Sequence, residues 1–96
     1  TEYSSLRYIS ELPIDEIKID ISFTRKMLEN KKVLALINSI IAISQNLGFK
    51  TLTEGVETKE QLEILRDMGC DYVQGYLLGK PMPEEEAQKL IYTLNK

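Results

Sequence analysis

Three short segments hold the side chains of this chain whose types and spacing suit chemistry: Lys18-Ile-Asp20, Thr53-Glu-Gly-Val-Glu57 and Gln74-Gly-Tyr76. Each stands at the C-terminal end of a stretch that reads as a strand. Polar groups at successive strand ends, with helices between them, are how a parallel α/β scaffold presents a site. The chain has no histidine, which removes imidazole metal ligands and any histidine-activated nucleophile. A metal here would be held by carboxylates and water, a donor set suited to magnesium, manganese or calcium rather than zinc.

Taken on type and position alone, each of these residues also has a structural reading. Lys18 in a half-buried strand is a snorkelling or ion-paired lysine. Asp20 is a solvated strand-end carboxylate, or one that orients Lys18 or a neighbouring loop. Glu54 before a glycine is a turn residue, although a strand end is also where barrel enzymes place ligands. Glu57 suits the positive end of the following helix dipole. Gln74 satisfies backbone groups, and Tyr76 packs in the core.

The elements that position these residues recur in one order: an amphipathic helix, a Gly or Pro stop, a short apolar strand, then polar residues. A first helix is predicted over Ser4 to Leu12, with Leu6, Ile9 and Leu12 at spacing three and Pro13 at its end. Ile17 and Ile19 alternate with Lys18 and Asp20, which predicts a strand over Glu16 to Asp20. A short helix follows within Ser22 to Glu29. From Val33 to Leu47 the apolar positions are dense enough to predict a helix covered on more than one side, stopped by Gly48 as a left-handed cap. Phe49 to Thr53 reads as the second strand. Thr58 with Gln61 three residues later makes a capping-box pattern, starting a helix that turns Leu62, Leu65 and Met68 inward and stops at Gly69. Asp71 to Gln74 reads as the third strand, followed by a Gly- and Pro-rich loop. Pro83 with Glu84, Glu85 and Glu86 predicts a last helix facing inward through Ala87, Leu90, Ile91 and Leu94.

Composition narrows the function classes. In 96 residues there is room for one domain with a thin core. Hydrophobic residues at 43% and charged residues at 28% are globular values. A net charge of −3 offers no basic footprint for bulk DNA or RNA. The single cysteine, Cys70, follows Gly69 just before a strand and reads as buried core. No run is long and apolar enough to cross a bilayer, and the start lacks a basic-then-apolar signal pattern, so the chain reads as cytoplasmic.

Tyr3-Ser-Ser-Leu6, Leu12-Pro13, Ile17-Lys-Ile-Asp20, Ser22-Phe23, Glu54-Gly-Val-Glu-Thr58, Gln61-Leu62, Gly69-Cys-Asp71, Val73-Gln-Gly-Tyr-Leu77 and Pro81 stand in one order and spacing. In that series the chain resembles the second half of the EAL domain, a family of bacterial phosphodiesterases that linearise cyclic di-GMP. The resemblance implies an α/β fold: a partial TIM-like (β/α) barrel, with this chain supplying the last three parallel strands and their helices. It implies a two-metal site at the C-terminal strand face, using Mg2+ or Mn2+, with cyclic di-GMP as the substrate.

The resemblance also implies roles. Lys18 points into the pocket beside the scissile phosphate, where a cation stabilises phosphoryl charge. Glu54 joins the metal and water network, and Glu57 braces the preceding active-site loop. Gln74 contacts substrate, and Pro81 packs near a guanine. The chain departs from the family pattern in two places. Gly79-Lys80 stands where relatives commonly have Ser-Arg, which keeps charge but loses a bidentate fork. Glu2 stands where relatives usually have glycine.

The upstream carboxylates of the family pattern would precede Thr1, so residues 1–96 read as the C-terminal part of an EAL domain, inactive alone. Uncovered strand edges predict self-association, or association with an N-terminal half. The alternative is a degenerate EAL module acting as a cyclic di-GMP receptor or protein-interaction domain.

Overall fold

A computed structural model describes residues 16–75 and 90–94. The first strand, β1 (Glu16–Ile19), arises where alternating isoleucines meet charged neighbours. One turn of helix, α1 (Ile21–Thr24), follows directly and is shorter than the predicted stretch to Glu29. The long helix α2 (Lys31–Leu47) starts two residues earlier than its apolar periodicity suggests. Asn30 caps it, its side-chain oxygen accepting from the amides of Lys32 and Val33 at 3.0 and 3.2 Å. Gly48, at φ 81°, closes it in the left-handed conformation. Strand β2 (Lys50–Glu54), helix α3 (Lys59–Met68) and strand β3 (Tyr72–Gly75) complete the alternation. The capping box forms at Thr58 and Gln61, and Gly69 closes α3 at φ 92°.

β1, β2 and β3 pair in parallel and in sequence order, as two βαβ crossovers require. The prediction of three parallel strands holds. The last predicted helix does not hold over the described part of its range: Leu90–Thr93 is a strand, β4, paired antiparallel with β3. Leu90, Ile91, Tyr92 and Thr93 are branched, aromatic or apolar, and so small an apolar run fits either period. An open edge of β3 decides the matter, because its unpaired backbone groups gain partners. The outer edge of β3, expected to be bare, is therefore covered.

One face of the sheet is buried beneath α2 and α3. Ile19, Met27, Ile37, Ile41, Val56, Leu65, Cys70 and Val73 form the core cluster. Each large apolar side chain so buried contributes on the order of 1.5–3 kcal/mol. Cys70 is fully buried, as predicted. The expectation that α2 is covered on more than one side is met only in part, since Ile37 and Ile41 are fully buried while Ile43 is 57% exposed. Among the described residues, no helix is long and apolar enough to cross a membrane. The predicted first helix, Glu2, Tyr76, Gly79-Lys80, Pro81 and the start at Pro83 lie outside the described residues.

Candidate functional site

Side chains of paired residues in a parallel sheet stand on the same face, and successive residues alternate. Lys18 pairs with Leu52, Leu52 with Tyr72, and Glu54 with Gln74. Lys18, Leu52, Glu54, Tyr72 and Gln74 therefore share the face opposite the helices. Ile19, Thr51, Thr53 and Val73 share the helix-covered face. Extending the same register by one step sets Asp20 level with Glu54.

The structure brings Glu54, Glu57 and Gln74 together. With Ile21, Gly55, Val56 and Gly75 they line a cleft of about 70 Å³. Small-molecule pockets run to several hundred Å³, so this cleft alone is too small to enclose a nucleotide. Lys18 stands on the same face, one row below on the neighbouring strand, and is exposed. It does not line the cleft. Asp20 turns away from Lys18 to cap α1, its carboxylate accepting from the Ser22 amide at 2.9 Å. Bonds from the Ser22 hydroxyl and amide hold that carboxyl below its ordinary value of 3.8.

No hydrogen bond or ion pair among the described residues engages the carboxylates of Glu54 and Glu57 or the Lys18 ammonium. Carboxylate oxygen is the donor that a hard divalent cation takes, so Glu54 fits such an ion in kind. Number is another matter: a cation of this class needs about six donors. Among the described residues no three acidic, histidine or cysteine groups converge on one point, so they do not complete a metal site.

Residues to which sequence reasoning gave no part in the site hold Glu54 in place. Thr24, fully buried, donates its hydroxyl to the Glu54 carbonyl at 2.6 Å. Gln61 donates from Nε2 to the Thr24 carbonyl at 3.2 Å, while its Oε1 accepts from the amides of Glu57 and Thr58 at 2.8 and 3.1 Å. The Val56 amide donates to the Gln74 carbonyl at 3.0 Å, tying the turn after β2 to β3. Two glycines permit the close approach. Gly55 adopts φ 74° against Ile21, and a Cβ on Gly75 would collide with the Val56 carbonyl oxygen. The capping-box pattern was the visible trace of Gln61. Its bond to Thr24 spans 37 residues and left no local signal.

Comparison with known proteins decides the lineage. The EAL domain family model matches residues 1–81. The chain belongs to the EAL domain family. It is 46% identical over 86 residues to the oxygen sensor protein DosP of Escherichia coli K12, covering 90% of this chain and 11% of that protein. It is 43% identical over 83 residues to the cyclic di-GMP phosphodiesterase NbdA of Pseudomonas aeruginosa, covering 86% of this chain and 11% of that protein. A solved PaMucR phosphodiesterase in complex with c-di-GMP superposes with a TM-score of 0.72 at 41% identity, over 84% of this chain and 33% of that one. An EAL domain protein from Listeria monocytogenes EGD-e superposes with a TM-score of 0.65 at 46% identity, over 76% of this chain and 30% of that one. The EAL chain thus spans about a tenth of these curated relatives and about a third of these solved chains. Its sheet is a partial barrel.

Proposed function

We propose that this chain supplies one wall of the active site of a cyclic di-GMP phosphodiesterase. One observation carries the reading: Lys18, Glu54 and Gln74 share a sheet face at or near the C-terminal strand ends, with the Lys18 ammonium and the Glu54 carboxylate unengaged among the described residues. Membership of a family whose named members include phosphodiesterases supports it. On this reading residues 1–96 are the C-terminal part of the domain, acting in the cytoplasm.

Lys18 sits one row below the cleft, where its ammonium reaches up to a phosphoryl group and offsets the charge that grows in the transition state. The Glu54 carboxylate takes a divalent cation, Mg2+ or Mn2+, as one of several donors. Such a cation, when bound, lowers the pKa of water and neutralises phosphate oxygens. Gln74, beside Glu54, offers a carboxamide to the nucleotide, and Pro81 packs near a guanine. Asp20 and Glu57 act through structure, Asp20 by capping α1 after Lys18. The remaining cation donors come from the rest of the domain or from an associated chain. By itself the 96-residue chain therefore does not turn over.

The test is hydrolysis of cyclic di-GMP to linear pGpG with Mn2+, by the full-length protein and by the 96-residue chain. Turnover by the first and none by the second is expected, with Glu54→Gln reducing full-length kcat by at least about a hundredfold. Full-length protein that binds cyclic di-GMP without hydrolysing it would replace this reading with that of a receptor.

A further inference from the structure

The described structure contains a buried polar relay that the catalytic reading does not use. It begins at Asp20, where β1 ends, and its first member is Thr24, fully buried on α1. The Thr24 hydroxyl reaches the carbonyl of Glu54, and the carbonyl of Thr24 accepts from Gln61, which is 7% exposed. Gln61 in turn accepts from the amides of Glu57 and Thr58. Both ends of the Glu54–Glu57 turn are thereby held by side chains that are themselves buried.

Burial makes this arrangement specific. A hydroxyl or carboxamide sealed from water costs about 1–3 kcal/mol if its partner is lost, so the turn is held at the positions that satisfy them. The 2.6 Å bond from Thr24 is the shortest of the set, and it lands on the backbone of Glu54, which lines the cleft. Thr24 is also four residues past Asp20, so its own position follows the end of the strand that carries Lys18. Other buried polar groups, such as Thr53 against Cys70, link no two strand ends that carry unengaged charges.

We infer that Thr24 and Gln61 are positioning residues: through the Glu54 carbonyl and the Glu57 amide they hold the Glu54 carboxylate in fixed relation to the Lys18 strand end. The inference rests on the phosphodiesterase reading for its kinetic consequence but not for its geometry. Displacing a reacting group by an ångström costs up to roughly a hundredfold in rate, and the loss falls on kcat when ground-state binding is untouched.

The experiment uses the full-length protein with Thr24→Val, Thr24→Ser and Gln61→Glu. Thr24→Val keeps the shape and removes the hydroxyl. Thr24→Ser keeps the hydroxyl. Gln61→Glu keeps the capping box, because a glutamate at that position accepts from the same amides, but sets an acceptor against the Thr24 carbonyl. Expected is a fall in kcat of roughly tenfold to a hundredfold for Thr24→Val and Gln61→Glu, with KM for cyclic di-GMP within about threefold, and recovery in Thr24→Ser. If Thr24→Val fails to fold, Gln61→Glu carries the kinetic test. Folded variants with unchanged kcat would overturn the inference, as would equal losses in Val and Ser. An independent readout is the Gly55 backbone 15N shift, which follows polarisation of the Glu54 carbonyl. It should move in Thr24→Val and return in Thr24→Ser even if the wild type hydrolyses nothing, in which case the phosphodiesterase reading alone fails. An unmoved Gly55 signal would overturn the positioning role.

Discussion

Gly75→Ala isolates one close backbone approach in the candidate site. Gly75 is buried at the end of β3, where an added Cβ would meet the Val56 carbonyl oxygen well inside van der Waals contact, with the Val56 carbonyl carbon at 3.2 Å. Gly75 is not among the positive-φ glycines, so alanine brings no backbone strain of its own. The whole effect is steric. The obstacle is main chain, which no rotamer change relieves, and the Val56 amide is bonded to the Gln74 carbonyl at 3.0 Å. Overpacking costs about 1–3 kcal/mol and loss of that bond about 0.5–1.5 kcal/mol, so the combined destabilisation is about 1.5–4.5 kcal/mol. A chain of this size has a total stability on the order of 5–14 kcal/mol, and its midpoint falls about 4–8 °C per kcal/mol. Urea and thermal unfolding of the 96-residue chain followed by circular dichroism would measure the loss. Amide exchange at Val56 should accelerate in step. A loss below about 0.5 kcal/mol with Val56 still protected would refute the placement of that carbonyl over Gly75.

Gly55→Ala should cost about 1–2 kcal/mol for a Cβ at φ 74°, plus contact with the Ile21 side chain, whose Cδ1 lies 2.6 Å from the added atom. Adding Ile21→Ala should recover the contact but not the strain, so a double-mutant cycle in urea should show a favourable coupling of about 1 kcal/mol. Thr58→Ala removes the hydroxyl that accepts from the Gln61 amide at 3.1 Å and should lower stability by about 1 kcal/mol in the same assay. Asp20 has a folded-state value below 3.8, so its cap contributes fully above that pH and is lost as pH falls through the lowered value. Asp20→Asn should accordingly flatten the acid limb of a stability–pH profile without changing it near neutrality.

What could be read in the sequence was local. Gly48, Gly69 and the Thr58–Gln61 box act within a few residues, and each stands in the structure where its pattern placed it. Period-two alternation around Lys18 was enough to find β1, and from there the common face of Lys18, Glu54 and Gln74 follows by register. Leu90 to Leu94 defeated periodicity because five residues satisfy both periods, and the decision belonged to the edge of β3. Thr24 was invisible for another reason. A threonine after Ser22-Phe23 reads as a helix residue, and only tertiary structure brings the Glu54 carbonyl to its hydroxyl.

The two ends of the sheet use the same residue class in opposite ways. At the N-terminal end the Asp71 carboxylate is consumed by the protein: it accepts from the Thr51 amide at 2.9 Å and lies 3.8 Å from the Lys50 ammonium. The Asp71 amide donates in return to the Thr51 hydroxyl at 3.3 Å. That carboxylate ties β2 to the start of β3. At the C-terminal end the backbone of Glu54 is held by Thr24, and the backbone of Glu57 by Gln61, so neither carboxylate is needed to hold the turn. A turn could be fastened more cheaply by its own acidic side chains, as Asp20 fastens α1. Fastening it instead with buried neutral groups leaves two carboxylates unengaged among the described residues, which is what the proposed metal and phosphate chemistry would use.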